Sequence, residues 1–322
     1  MAPLISIIIP NWNGLHHLES CLSSLREQTF TDFEVILVDN NSSDGSQQYV
    51  LDEYPDVRLV ELESNLGFTG GCNAGLEVAI GEYIVLLNND TETERSWLSW
   101  LVHTFDKDER IGIVASKIML FDRRDHIHSA GDSYSFDGIP ENRGVWQKDV
   151  GQYDEETEVF SACGAAAAYR RSMVDEIGFL DDDFYFSCED VDLGWRAHLS
   201  GWRVVYAPKA VVYHKLKATG GSVTGSYYDG RNFLYLIWKN YPWTILRKHL
   251  FGIGKAQTVI AWDALKAWRG EAARARLRGQ AAGMLGFFKM VPKRRRTLAN
   301  RRLSDDDLTT LLSAVDEKTG HS

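Results

Sequence analysis

Residues 5–14 read Ile5-Ser6-Ile7-Ile8-Ile9-Pro10-Asn11-Trp12-Asn13-Gly14, a β-branched apolar run that stops at proline and opens into a polar turn. Such a run predicts a buried strand over residues 5–9, and residues 14–28 follow it with Leu15, Leu18, Leu22 and Leu25 at helical spacing. The alternation then repeats outward along the chain. Residues 35–38 form a second apolar run that ends in Asp39-Asn40-Asn41-Ser42-Ser43-Asp44-Gly45. Residues 46–54 suit a helix, 57–62 a strand, 71–79 a helix and 83–87 a strand. This order predicts the α/β class, a parallel sheet covered by helices. Polar loops gather at the carboxyl ends of the strands, where open sheets of this class bind ligands.

Beyond residue 112 the pattern is less regular. A Gly- and Asp-rich loop is expected over residues 131–151, short helices over 172–177 and 189–199, and extended segments over 204–207 and 211–213. After Tyr241-Pro242 the composition shifts to Trp, Leu, Ala, Arg and Lys at helical spacing, which divides the chain into residues 1–240 and a basic amphipathic helical region, 241–322. Residues 304–322 are expected to hold one short helix and a frayed end.

With 322 residues, 44% hydrophobic and 25% charged, the chain has a real core, which excludes intrinsic disorder and a small disulfide scaffold. Cys21, Cys72, Cys163 and Cys188 include no CxxC pair, so buried free thiols are expected rather than structural zinc. The net charge of −10 conceals an asymmetry, −19 over residues 1–240 and +9 over residues 241–322. The most apolar stretch, residues 243–262, is broken by Arg247, Lys248, His249 and Lys255, and residues 4–10 are too short for a signal peptide. A cytoplasmic protein is expected.

Four polar clusters stand at predicted strand or helix ends. Asp39 closes an apolar run, so its carboxylate is expected at the sheet edge, available to a base or ribose; capping of the next helix explains an Asp there as well. The second cluster runs from Asn65 to Gly75, and its glycines permit close backbone approach before a helix whose N–H groups could face a diphosphate. It contains neither GxGxxG nor Gly-Lys-Ser. The third, Asn88-Asn89-Asp90-Thr91, follows an apolar strand and suits an oxygen-ligated Mg²⁺ or Mn²⁺ shared with substrate phosphates, although an N-cap serves Asp90 equally well. The fourth, Cys188-Glu189-Asp190-Val191-Asp192-Leu193-Gly194-Trp195-Arg196, packs three acids into four residues. That is costly unless a cation, a proton or a ligand offsets the repulsion. His214, closing the extended run 211–213, is the histidine best placed for function.

Together these motifs, in this order and spacing, resemble the family-2 inverting glycosyltransferases with the A-type nucleotide-sugar-binding fold, particularly the bacterial rhamnosyltransferase-like branch. The resemblance spans residues 6–215, about two thirds of the chain. It implies a mixed central sheet with a C-terminal helical extension. It also implies that Pro10, Asn11 and Asn13 border the nucleotide pocket, that Asp39 contacts base or ribose, and that Asn65, Gly67 and Asn73 shape the nucleotide and diphosphate wall. Asn88-Asn89-Asp90 occupies the position of the family's Asp-x-Asp motif; Asp90 matches its last acid and Asn88 departs from the first. His214 matches a further metal ligand of some relatives. One acid of the Glu-Asp pair is the general base, Asp190 by preference, with Glu189 holding acceptor hydroxyls. Asp192, Trp195 and Arg196 are expected on the acceptor side, Trp195 stacking on a sugar face or Asp192 orienting Arg196.

The implied reaction moves a sugar, rhamnose among the candidates, from a dTDP-, UDP- or GDP-sugar to a glycan or polyprenyl-linked acceptor in cell-surface polysaccharide synthesis. A basic amphipathic tail suits an anionic membrane surface at the inner face of the plasma membrane, or a helical cap packed on the catalytic domain. Nucleic acid is not expected as a partner, because the acidic body repels phosphate backbones. Nucleotidyl transfer would want a basic triphosphate loop, and residues 65–75 hold no Lys or Arg. A non-catalytic sugar-binding protein on the same fold is the remaining alternative.

Overall fold

The computed structural model describes residues 2–216 and 222–319, with side chains through residue 312. The opening apolar run is β1 (Ile5–Asn11), and its side chains alternate between the two sheet faces: Ile5, Ile7 and Ile9 enter one core, Ile8 the other. Helix α1 (Leu15–Arg26) buries Leu18, Cys21, Leu22 and Leu25 on the first face. There follow β2 (Phe33–Asp39), α2 (Ser46–Glu53), β3 (Arg58–Glu61), α3 (Gly67–Val78) and β4 (Tyr83–Leu87). These four strands pair in parallel in the order β4-β1-β2-β3, as the alternation predicts.

Helix α3 begins inside the stretch expected as a Gly-rich loop. Its glycines serve packing, since a Cβ on Gly75 would collide with Ile8 of β1.

The second half is β5 (Thr91–Thr93), α4 (Trp97–Phe105), β6 (Ile111–Leu120), β7 (Ile127–Ala130), the hairpin β8 (Asp132–Tyr134) and β9 (Pro140–Asn142), β10 (Thr157–Glu158), β11 (Ala166–Arg170), α5 (Arg171–Ile177), α6 (Glu189–Leu199) and β12 (Arg203–His214). Strand β11 runs antiparallel between β4 and β6, which makes the ten-stranded sheet mixed. The two extended segments expected near residue 210 are one strand, β12, parallel to β6 with a register shift between Ala207 and Val211. Pro208 has no N–H to donate there, so the ladder breaks locally rather than ending.

The C-terminal region is α7 (Val223–Asn240), α8 (Trp243–Lys266), α9 (Glu271–Leu285), α10 (Phe287–Ala299) and α11 (Asp305–Thr319). The division expected after residue 240 falls between α7 and α8. One apolar core crosses it, joining Phe184, Trp195 and Leu236 to Ile245, Ile253, Met290 and Leu308. Several tail cations face the acidic body: Lys293 lies 2.5 Å from both Asp181 and Asp183, and Lys289 2.6 Å from Asp183. Arg294 is 2% exposed and lies 3.8 Å over the Trp243 ring. Part of the charge asymmetry is therefore an internal contact between tail and body. Of the short helix and frayed end expected over residues 304–322, α11 supplies the helix, longer than expected, and residues 320–322 lie outside the described residues.

Candidate active site

Parallel pairing sets Asn11 opposite Asp39, and their side chains lock the ends of β1 and β2 together. Asn11 Nδ2 donates to Asp39 Oδ1 at 3.1 Å, while Asp39 Oδ2 accepts from Ser42 N at 2.8 Å and Gln47 Nε2 at 2.7 Å. Asn11 Oδ1 accepts from Asn89 Nδ2 at 2.7 Å, which ties in the end of β4. Asn13, in the left-handed region at φ 51°, receives Ser43 N on its Oδ1 and donates its own N–H to Ser42 Oγ. Asp39 is fully buried, so it lies beneath the sheet edge at which it was expected, and Asn11 with it. Both lie buried at the ends of β1 and β2, while Pro10 and Asn13 beside them are partly exposed.

The first turn of α3 is not free to cradle a diphosphate. Leu66 N donates to Asn40 Oδ1, Gly67 N to Asn65 Oδ1, and both Phe68 N and Thr69 N to the carbonyl of Tyr185. The sequence shows the glycines but not the distant carbonyl that uses these donors. Gly67, at φ +76°, admits the contact, because a Cβ there would sit 2.6–2.7 Å from Tyr185. Asn73 likewise spends its amide on Leu180 O and Asp182 Oδ1, at 3.0 and 2.7 Å. Asn73 and the first turn of α3 therefore hold the segment 180–185, and Asn65 caps Gly67, so the N–H groups from Leu66 to Thr69 are all engaged within the protein.

Asp90 and His214 meet because β12 pairs antiparallel with β5, which Asp90 precedes. Asp90 Oδ1 lies 3.0 Å from His214 Nε2, both side chains 8% exposed. The contact lacks hydrogen-bond geometry at that oxygen. Two cis ligand atoms on an octahedral cation at about 2.1 Å are about 3 Å apart, so the pair fits a small divalent ion completed by substrate phosphates. Burial opposes ionisation of Asp90, but His214 and His17 bring its carboxyl below the usual range. Among the described residues no group of three or more His, Cys, Asp or Glu is arranged to hold a metal ion. Any cation here thus depends on these two side chains and a ligand, with Asn88 partly exposed beside them.

His128, which the sequence reading passed over, backs His214: the two Nδ1 atoms are 3.1 Å apart, and His128 Nε2 lies 3.4 Å from Asn142 Nδ2. Burial, then His214, pushes His128 down to about 3, so it stays neutral and orients the second imidazole. The available signal was its place on a strand, His126-Ile127-His128-Ser129, whose alternation sets it beside His214.

Helix α6 brings the acids of the fourth cluster, and each is offset differently. Asp192 is fully buried and takes two cations: Arg196 Nε and Lys239 Nζ both lie 2.8 Å from its Oδ2. Glu189 is 5% exposed with no hydrogen bond at Oε2; burial and the neighbouring Asp190 hold its carboxyl well above the usual range, so it keeps a proton. Asp190 is partly exposed and accepts Gly164 N on Oδ2 at 2.8 Å and Val191 N on Oδ1 at 2.7 Å. Burial still raises its carboxyl. The helix start is held by left-handed Tyr185, Ser187 and Cys188, and Asn232 Nδ2 of α7 donates to the carbonyls of Phe184, Phe186 and Ser187. Residues of this type at positive φ store strain of about 1–3 kcal/mol each, which an anchored surrounding must sustain.

The three residues expected on the acceptor side face inward. Trp195 is fully buried against Tyr134, Phe160 and Tyr241, so no sugar can stack on it. Arg196 donates to the carbonyls of Ile177, Gly178 and Phe179. Asp192 orients Arg196, the alternative the sequence allowed, and also engages Asn240 Nδ2 at 3.0 Å.

The strand ends and α6 adjoin through one short path. Asn88 N donates to Ala165 O at 2.9 Å, and the preceding residue, Gly164, donates to Asp190. Asp190 therefore stands one strand away from Asp90 and His214.

Residues 6–178, more than half the chain, match the family model described as Glycosyl transferase family 2. Asp190 and His214 lie beyond that match, so their placement here rests on geometry. The chain is 27% identical over 242 residues to the N-acetylglucosaminyl-diphospho-decaprenol L-rhamnosyltransferase of Mycobacterium tuberculosis, covering 68% of this chain and 79% of the relative. It is 30% identical over 225 residues to the O-antigen biosynthesis protein RfbC of Myxococcus xanthus, covering 67% of this chain but 18% of that protein. Among solved structures, the mannosyltransferase PcManGT from Pyrobaculum calidifontis, in complex with GDP-Man and Mn2+, superposes with a TM-score of 0.56 at 19% identity over 93% of this chain and 86% of that one.

Proposed function

Given that the chain belongs to glycosyl transferase family 2, and so is a glycosyltransferase, we propose that it transfers a deoxyhexose, rhamnose, with inversion from a nucleotide-sugar to a hydroxyl of a lipid-linked glycan. The observation that carries this reading is the path Asn88–Ala165–Gly164–Asp190, which sets an anchored carboxylate beside the Asp90–His214 pair. The rhamnosyl donor and the polyprenyl-diphosphate acceptor follow the named activity of the mycobacterial relative.

Asp190 accepts the proton of the acceptor hydroxyl as its oxygen forms a bond to the anomeric carbon and the bond to the diphosphate breaks on the opposite face. The two backbone N–H bonds fix its orientation, and the raised carboxyl makes it a stronger base than an exposed Asp. Neutral Glu189 beside it removes a second negative charge from the site. Asp90 and His214 would hold Mg²⁺ or Mn²⁺, which when bound neutralises charge on the departing diphosphate. Asn11, Asp39 and Asn89 keep the three strand ends in register beneath the donor.

A lipid-linked acceptor also places the enzyme at a membrane surface, and α8 supports that placement. Phe251, Lys255, Thr258, Trp262 and Leu265 recur at helical spacing on its outward side, with Phe251 87% and Trp262 59% exposed. Arg247, Lys248 and Lys266 flank them, and Asp263 is the helix's one acid. Such a face lies flat on anionic lipid. Among the described residues no helix is long and apolar enough to cross a membrane.

The reaction is tested by incubating the purified chain with dTDP-, UDP- and GDP-sugars, with and without Mn²⁺, and following thermal stabilisation. Sugar release and transfer to a short polyprenyl-diphospho-N-acetylglucosamine are measured alongside. One nucleotide-sugar should stabilise the chain in a cation-dependent way and turn over on the acceptor; no stabilisation by any of them overturns the reading.

A further inference from the structure

The hairpin region 141–147 closes a cavity of about 540 Å³ whose wall includes His128, Asn142, Arg143, Trp146, Gln147 and Tyr153. The cavity adjoins the reaction centre on two sides. His128 touches His214, and Asn142 Nδ2 lies 3.9 Å from Sγ of Cys163, the residue before Gly164.

Two features of this wall point to a ligand. Arg143 is 8% exposed, yet among the described residues no carboxylate lies within salt-bridge distance and its Nε has no hydrogen-bond partner. Its guanidinium is instead held between the rings of Tyr153 and Tyr206, 4.9 and 5.2 Å from their centroids. A buried cation without a counterion is costly, and an arriving anion removes that cost. Trp146 is 58% exposed and sits at φ 66°, where a bulky side chain is strained. The conformation is enforced by paired backbone bonds, Trp146 N to Ile127 O and Ile127 N to Gln147 O. The outcome of that strain is an indole presented to solvent at the cavity wall.

We propose that this cavity is the subsite for the acceptor's glycosyl phosphate, with the Trp146 indole against the sugar face and Arg143 on the phosphate. Aromatic rings pair with the apolar face of a sugar, and a planar guanidinium pairs with phosphate oxygens. The assignment rests on the glycosyltransferase reading and supplies its acceptor side, for which Trp195 and Arg196 are unavailable. It also gives a role to a buried cation that has no ion-pair partner among the described residues.

The test uses the full chain and three probes, N-acetylglucosamine 1-phosphate, glucose 1-phosphate and N-acetylglucosamine, with UDP and dTDP as controls for the donor side. Binding is followed by saturation-transfer NMR and calorimetry. At least one sugar phosphate should bind more tightly than the neutral sugar. Trp146→Gly, a residue the left-handed backbone accepts, should weaken every sugar probe about tenfold. Arg143→Gln should weaken the sugar phosphates about tenfold to a hundredfold and erase their advantage over the neutral sugar. Arg143→Lys, which keeps the charge, should retain part of that advantage, and thermal midpoints establish that each variant is folded. Nucleotide affinity should be unchanged throughout.

No binding of either sugar phosphate to the unaltered chain overturns the subsite. Equal losses for nucleotides and sugar phosphates also overturn it, since they would put Arg143 and Trp146 on the donor side. In both cases intact cation-dependent binding of a nucleotide-sugar leaves the glycosyltransferase reading standing.

Discussion

The backbone N–H of Gly164 donates to Asp190 Oδ2 at 2.8 Å, so the acid at the start of α6 is oriented by the segment leading into β11. An asparagine there accepts only one of the two backbone N–H groups that Asp190 holds, since its Nδ2 donates, but it keeps the shape of the side chain while removing the charge. Asp190→Asn should therefore lower sugar transfer by about 10²–10⁴, the usual range for loss of a general base, while the calorimetric affinity for nucleotide stays the same. Turnover close to that of the unaltered enzyme would place the base elsewhere.

Glu189 keeps its proton in the folded chain well above the ordinary value of 4.5. The unfolded chain releases it near that value, so between the two the folded state binds more protons and stability falls as pH rises. Glu189→Gln removes this dependence. Its thermal midpoint should match the unaltered chain near pH 4 and exceed it progressively toward pH 8. A constant offset across that range would show that Glu189 is ionised in the folded protein.

Asp90→Ala should abolish the Mn²⁺ dependence of nucleotide binding and leave the cation-free affinity unaltered. His128→Ala, which removes the group behind His214, should weaken the apparent Mn²⁺ affinity by about 10–100-fold. Titration of free Mn²⁺ by electron paramagnetic resonance in the presence of nucleotide measures both; an unchanged His128→Ala titration would separate that residue from the cation.

Lys239 bridges Asp181 and Asp192 at 2.6 and 2.8 Å with almost no exposure. Lys239→Met leaves Asp192 with Arg196 as its one cation and should cost about 3–5 kcal/mol of stability in urea unfolding. Asp181 and Asp192 are both held below their ordinary value of 3.8 by these cations against the opposing effect of burial. Their contribution is present above that pH and is lost as pH falls through the depressed values, so the penalty of Lys239→Met should shrink in acid. A penalty independent of pH would assign it to packing of the lysine stem.

On the outward face of α8, Phe251→Ser with Trp262→Ser should reduce sedimentation with phosphatidylglycerol vesicles, and Lys255→Glu should weaken binding and lower its salt dependence, because one cation fewer faces the anionic lipid. Equal sedimentation of all variants would remove α8 from membrane contact. Lys293 is a poor choice for this test, because it is engaged with Asp181 and Asp183.

The strands and helices up to β4 were legible because their periodicity is local: β1 and β4 fall where the apolar runs predict them, as α6 does later in the chain, whereas β5 and α4 were not read. The strand-end clusters were legible for the same reason. What could not be read is which polar group uses which partner across the fold. Nothing near Phe68 announces the carbonyl of Tyr185, and nothing near Trp195 announces that Tyr134, Phe160 and Tyr241 enclose it. His128 and Arg143 were missed because their significance comes from contacts with residues 86 and 63 positions away, the distances to His214 and Tyr206 along the chain. The tail's charge was visible as a sum, but its pairing with Asp181 and Asp183 requires three-dimensional proximity.

The core that runs from Trp195 through Leu236 to Ile253 and Met290 bears on how such enzymes diversify. A module that can be exchanged must leave a clean surface when removed, and cutting this chain at residue 240 would instead expose the interior that steadies Asp190. The helices therefore have to change in concert with the sheet, as one inherited unit. Residues 145–151, at the outer end of the loop beyond β9, contribute no side chain to that core, which makes them the segment where a new acceptor preference can arise without rebuilding the enzyme.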